Sequence, residues 1–139
     1  MLRTILLGLL IMLGATGLSR AGDAEVKAAQ TTIQRQIEAF LDGKLDEAYG
    51  YAAPNIQRIY PSVEAFMGMV TRGYEPVYQP RSYTFGKVEE LTSTSLMQQV
   101  LLVGPDGKNY EAVYTLELQS DGTYRITGVS LRGVPTLST

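Results

Sequence analysis

Tyr74, Glu75 and Tyr78 stand within five residues of one another in the stretch MVTRGYEPVYQP, residues 69–80, and Pro76 and Pro80 stiffen the chain on either side of Tyr78. A carboxylate such as Glu75, once buried, has its pKa raised and can serve as a general base. A tyrosine hydroxyl beside it can donate a hydrogen bond to a small ligand. Few other chemistries are open. The chain of 139 residues contains no histidine and no cysteine. That removes the commonest general base and metal ligand, and with it the Ser-His-Asp and Cys-His nucleophile systems and the usual nitrogen and sulfur zinc sites. Nine tyrosines and fourteen Asp and Glu side chains are what remain for proton chemistry.

Asp46 and Glu47 are neighbours on a short helical segment. Adjacent helical positions point about 100° apart, so one site cannot take both. An acidic first turn favoured by the helix dipole accounts for them. Glu89 and Glu90 fall on opposite faces of a strand and read as a solvated edge. Asp106 and Asp121 lie in turns that lack the alternating oxygen ligands of a calcium loop. No metal and no cofactor are expected. The tyrosine pattern is more pointed. Tyr110 and Tyr114 share a strand face with Leu116 and Leu118, and Tyr83 shares another with Phe85. Such rings either fill a core, with hydroxyls at its edge, or wall a pocket. The candidate ligand-binding residues are therefore Tyr74, Tyr78, Tyr83 and Tyr114. Tyr74 and Tyr78 are expected to fold over the pocket mouth, against the strands bearing Tyr83 and Tyr114. Such a flap serves either ligand capture or permanent closure.

The elements that must position these groups follow from periodicity. Val26, Ala29, Ile33, Ile37, Phe40 and Leu41 form one face of a first helix that starts at Asp23 or Thr32 and stops at Asp42-Gly43. A shorter helix from Lys44 buries Leu45, Ala48, Tyr49 and Ala52 and ends before Pro54; Asn55 to Tyr60 make one further turn. Ser62 caps a third helix with Val63, Phe66, Met67 and Val70 inside, closed by Gly73. The segment from Gly73 to Pro80 reads as neither helix nor clear strand. Beyond it the period becomes two. Strands follow around Tyr83 and Phe85, at Leu96–Val103, at Asn109–Gln119 and at Thr123–Leu131, separated by the turns Gly104-Pro105-Asp106-Gly107 and Ser120-Asp121-Gly122. Helices first and four antiparallel strands after them make an α+β domain, with the helices packed on one face of a curved sheet.

Residues 1–21 stand apart. Arg3 precedes an apolar run from Ile5 to Leu18, and Ser19-Arg20-Ala21 places small residues where a signal peptidase requires them. The run is shorter than the ~20 residues that span a bilayer. A cleaved signal peptide is expected, leaving no stable membrane anchor. One domain over 22–132 and a flexible tail over 133–139 complete the plan. Without residues 1–21 the chain keeps ten basic against fourteen acidic side chains, a net charge of −4, and shows no basic patch for nucleic acid.

The stretches IQRQIEAF (33–40), AYGYAAPNIQ (48–57), EAFMGMVTRGYEPVYQP (64–80), QQVLLVGPDG (98–107), Tyr114-x-Leu116 and GTYRITGVSL (122–131) resemble the small secreted alphaproteobacterial proteins grouped as domain of unknown function 4864. Family members tend to carry tryptophan where this chain has Tyr124. The resemblance implies an NTF2-like, cystatin-like cone and periplasmic or secreted location, and it attaches no activity. The expected function is non-catalytic binding of a small apolar ligand or a protein partner. Two alternatives stand beside it. One is an isomerase or dehydratase that uses a pocket carboxylate and tyrosines, for which Glu75 and Asp46 are the carboxylates not excluded by strand parity. The other is a homodimer formed through the outer sheet face at Leu101, Val103, Val113 and Thr115.

Overall fold

The computed structural model describes residues 22–135; the expected signal peptide and residues 136–139 lie outside them. The first helix, α1, runs Asp23–Leu41, with Asp23 and Glu25 in its first turn, where negative charge meets the positive end of the helix dipole. The earlier of the two expected starts is the one used. Thr32 is buried in mid-helix, and its hydroxyl donates to the Tyr124 carbonyl at 2.8 Å. Gly43, at φ +70°, ends the helix in the left-handed conformation that Cβ-bearing residues disfavour. Leu41, expected on the buried face, is 46% exposed. Phe40 takes the inner position at that turn, and its neighbour points about 100° away, to water.

Four short helices follow: α2 Leu45–Gly50, α3 Pro54–Ile59, α4 Val63–Gly73 and α5 Glu75–Tyr78. Ser62 caps α4 as expected, accepting the Ala65 N–H at 3.0 Å. The segment after Gly73 departs from the expected irregular loop. It forms a helical turn in which the Val77 and Tyr78 N–H groups donate to the Tyr74 carbonyl at 2.9 and 3.0 Å. Pro76 is tolerated there because the first turn of a helix has no use for its missing N–H.

The strands β1 Ser82–Thr92, β2 Ser95–Val103, β3 Asn109–Leu118 and β4 Tyr124–Gly133 form one antiparallel meander in that order. Hydrogen bonding reaches two or three residues past the expected end of the last strand, since the Val134 N–H still donates to the Asn109 carbonyl at 2.9 Å. The inward face carries Leu96, Val100 and Leu102 of β2, Ala112, Tyr114 and Leu116 of β3, and Tyr124 and Ile126 of β4. Ile33, Ile37 and Phe40 of α1 cover it, each 2% exposed or less. This alternation is the one expected for β3.

The two edges of the sheet are treated differently. Along β4, the helical half of the chain supplies a partner at position after position. Thr32 bonds the Tyr124 carbonyl, and the chain at Ala52 runs parallel to Ile126. There the Ile126 N–H donates to Tyr51 at 2.9 Å and its carbonyl accepts from Ala53 at 2.8 Å. Asn55 donates to the Thr127 carbonyl at 3.0 Å and Tyr74 to the Val129 carbonyl at 3.2 Å. Among the described residues, β1 pairs with β2 alone and its other edge carries no strand. Register shifts at Phe85/Val88 and Glu90/Thr92, with exposed Lys87 and Glu89 between them, twist and charge that edge against pairing with another chain. Glu89 is solvated as expected, but Glu90 is half-buried and its Oε2 has no partner among the described residues.

Candidate functional site

A cavity of about 230 Å³ opens where α1, α3, α4 and α5 meet the middle of β4, at Ile126, Gly128 and Val129. Phe40, Phe66, Val70 and Val77 form its apolar depth, with Ile126 and Val129 on the sheet side. The packing of aromatic rings fixes this shape. Phe40 stacks on Phe66 at 6.3 Å between ring centres, and Tyr49 leans on Phe66 at 5.2 Å. Three polar residues reach the lining: Gln36, Tyr60 and Tyr74. Gln36, 4% exposed, donates from Nε2 to the Ala48 carbonyl at 3.1 Å. Among the described residues, no Asp, Glu, Lys or Arg lines the cavity.

The rim comes from α3. This helix buries no residue fully, yet its Ile56 and Ile59, with Tyr60 just past its end, line the cavity, and Ile59 remains 64% exposed. The helix is held at its two ends. Asn55 bonds β4 as described, and the Tyr49 hydroxyl donates to the Tyr60 carbonyl at 2.5 Å. Pro54 and Pro61 bracket the segment and restrict its backbone.

Of the four sequence-derived candidates, Tyr74 alone lines this cavity. Its hydroxyl reaches β4, not the strands bearing Tyr83 and Tyr114. Tyr78 turns back on α1 and meets Phe40 edge-on at 5.7 Å and 76°. Tyr83, on β1, packs edge-on against Phe85 at 6.0 Å. Tyr114 is 0% exposed, and its hydroxyl has no hydrogen-bond partner among the described residues. The four rings are therefore not gathered into one mouth. Burial pushes the Tyr114 phenol well above the ordinary tyrosine range, with neighbouring Tyr83 adding to the rise. Burial also raises Tyr83, helped by the charge of Glu38.

The carboxylates lie elsewhere. Glu75 and Asp46 are exposed, and Glu117 points out from β3. Glu111 leaves the sheet on the outer face and accepts from Arg132 at 2.8 Å, a bond that holds its carboxyl below the usual range. Asp106 stiffens its turn by accepting from the Lys108 N–H and, at 2.6 Å, from the Tyr110 hydroxyl. Among the described residues there is no group of three acidic side chains placed to hold a metal, and no helix is long and apolar enough to cross a membrane. On the outer sheet face Leu101 is 43% exposed, while Val103, Val113 and Thr115 are half-buried between their neighbours.

Sequence reasoning missed Ile56, Ile59, Met69 and Val129 as lining residues. A signal for the first two was present: a six-residue helix that buries nothing of its own still carries two isoleucines three apart.

A family model described as "Domain of unknown function (DUF4864)" matches residues 22–139. Two chains among solved structures match as well. One of them, a 2.5 Å structure from Catenulispora acidiphila, is 17% identical with a TM-score of 0.51, over 79% of this chain and 92% of that one. At that identity the likeness speaks for the fold alone: helices packed on an open four-stranded antiparallel sheet. No curated protein matches the chain.

Proposed function

The chain belongs to the family described as domain of unknown function (DUF4864), and from that premise, which attaches no chemistry, we propose that it binds a small apolar ligand without transforming it. One observation carries this reading: among the described residues, the cavity beneath α3 is lined by apolar side chains and three neutral polar ones, with no charged group. Such a lining rewards burial of hydrocarbon and offers Gln36, Tyr60 or Tyr74 to a single polar end. An isomerase or dehydratase of this composition would need a carboxylate base at the ligand, and the described residues place none in the cavity lining. The element order supports an NTF2-like cone as the wider fold.

The test is calorimetric titration with straight-chain alcohols and fatty acids of six to ten carbons, for the native chain and for Met69→Trp. Saturable binding is expected for at least one series. Met69 lines the cavity, so the larger indole of the variant should take up space a ligand needs, lowering affinity by tenfold or more, or ~1.4 kcal/mol. A bound ligand at 100 times its Kd would also stabilise the fold by ~2.7 kcal/mol, visible as a rise in Tm. If no member of either series binds saturably, the apolar-ligand reading falls.

Export completes the proposal. The charged start, short apolar run and Ser-x-Ala ending support a periplasmic or secreted chain cut after Ala21. Mass spectrometry of protein from its native host should find a chain beginning near Gly22. Recovery of intact Met1 from the membrane fraction would contradict it.

A further inference from the structure

Tyrosines apart, the polar side chains buried among the described residues are Thr32, Gln36 and Gln98. A buried polar group costs free energy until its donors and acceptors are answered. Thr32 is answered by the Tyr124 carbonyl. Gln98 is answered at both ends, its oxygen by Gln30 and its nitrogen by the carbonyls of Gly86, Lys87 and Gln99. Gln36, 4% exposed, is answered at one end only. Its Nε2 donates to the Ala48 carbonyl at 3.1 Å, and its Oε1 accepts from no described residue. The amide cannot be turned round, because a carbonyl needs the NH2 end and the oxygen is then the end left over. Nor is that oxygen sealed in protein. Among the described residues, the buried side-chain atoms without a partner are on Asn55, Glu90 and Tyr114, so Gln36 Oε1 borders open space. The open space that Gln36 lines is the apolar cavity.

We propose that this oxygen selects the class of ligand: a neutral molecule with an apolar body and a hydrogen-bond-donating head, an alcohol, in preference to a carboxylate. The inference deepens the apolar-ligand reading and rests on it. An alcohol entering the cavity gives up its bonds to water, and Gln36 Oε1 returns one to its O–H. A carboxylate has no proton to give. It would bring negative charge toward a carbonyl oxygen, and among the described residues no Lys or Arg lines the cavity to balance it. The two lining tyrosines do not reverse the choice. Tyr74 has committed its proton to the Val129 carbonyl and keeps only acceptor capacity. The Tyr60 hydroxyl can donate to a neutral oxygen as well as to a charged one, so it does not discriminate. Gln36 does.

The experiment is calorimetric titration of the native chain at neutral pH with 1-hexanol, its isomer pentyl methyl ether, and hexanoate. Alcohol and ether have the same atoms and differ in the proton that can be donated. Hexanol is expected to bind about fivefold more tightly than the ether, the size of one net hydrogen bond, and hexanoate more weakly than hexanol. A cavity without a free acceptor gives the reverse order for alcohol and ether, because the hydroxyl loses more on leaving water. Gln36→Met keeps an unbranched side chain and removes the acceptor, while the Ala48 carbonyl still accepts the Tyr51 N–H at 3.3 Å. In that variant the preference for hexanol over the ether should vanish. The ratio in the native chain decides the matter even if the variant fails to fold. Ether binding the native chain as tightly as hexanol would overturn the inference and leave the apolar-ligand reading standing. Hexanoate matching hexanol would overturn the preference for a neutral head, and a preference that survives Gln36→Met would take the role from Gln36. If none of the three probes binds, the broader reading falls and this one with it.

Discussion

Phe40→Ala lowers the free energy of unfolding by ~3–5 kcal/mol, the range for deleting a buried aromatic ring. The ring is 2% exposed and sits where three parts of the structure meet. It stacks on Phe66 of α4, takes the edge of Tyr78 of α5, and closes the inner end of the apolar cavity. Aromatic contacts add to the area term, by ~0.5–1.5 kcal/mol per pair. The void left by alanine would merge with the existing cavity, and walls already propped apart by rings cannot collapse into it. The loss should therefore fall toward the upper end of the range. Urea unfolding with an unchanged slope is the measurement. A loss below ~1 kcal/mol would mean that the ring is not packed as described.

The second large effect has the opposite sign. Tyr114→Phe should stabilise the protein by ~1–2 kcal/mol at neutral pH, because a buried hydroxyl without a partner costs about that much desolvation. The gain grows in alkali. The folded state holds the Tyr114 phenol far above its ordinary pKa, chiefly through burial. Unfolded, the same phenol ionises near pH 10. Above that pH the unfolded chain has released the proton and the folded chain still holds it, so stability falls as pH rises. The slope approaches ~1.4 kcal/mol per pH unit for this one group. Tyr83, Tyr110, Tyr51 and Tyr124 are raised too and bend the curve the same way. The difference between the native chain and Tyr114→Phe isolates the Tyr114 share. Parallel urea titrations at pH 8 and pH 11 would show it. A variant less stable than the native chain at both values would mean that the hydroxyl has a partner and that its burial is not the cause.

Where a side chain's position follows from period alone, the sequence announces it. Ile33, Ile37 and Phe40 on α1 and Ala112, Tyr114 and Leu116 on β3 are legible because helix and strand repeat at 3.6 and 2 residues, and both stripes are buried as expected. Gln98 is not legible. It occupies an apolar strand, is 0% exposed, and looks like an error in the pattern. Its amide donates to the Gly86 and Lys87 carbonyls, which the β1 register shift turns inward, and its oxygen accepts from Gln30. The glutamine answers a bulge in another strand, and no local period contains that information. The apolar cavity is hidden for a related reason, since its lining comes from α1, α3, α4, α5 and β4. Tyr74 and Tyr78 show the limit most plainly. Four residues apart, they would share a face on a continuous helix. Tyr74 instead caps both α4 and α5 with a non-helical backbone, φ −136° and ψ 35°, and so points to β4 while Tyr78 points to α1.

The partners supplied along β4 set the order of events when the chain is made. Thr32, Ala53, Asn55 and Tyr74 lie between 55 and 92 residues ahead of the strand they bond, as the Tyr74–Val129 and Thr32–Tyr124 separations show. A chain growing from its N-terminus completes all five helices before the residues that secure them exist. Four of them, α2 to α5, have eleven residues or fewer, and short helices do not persist without tertiary support. Closing loops of such length is also slow, because the entropy is lost before the contact forms. The growing polypeptide thus stays open to whatever handles it until the final ten-residue strand arrives, and a truncation that removes β4 strips the helical half of its anchor as surely as it removes a strand.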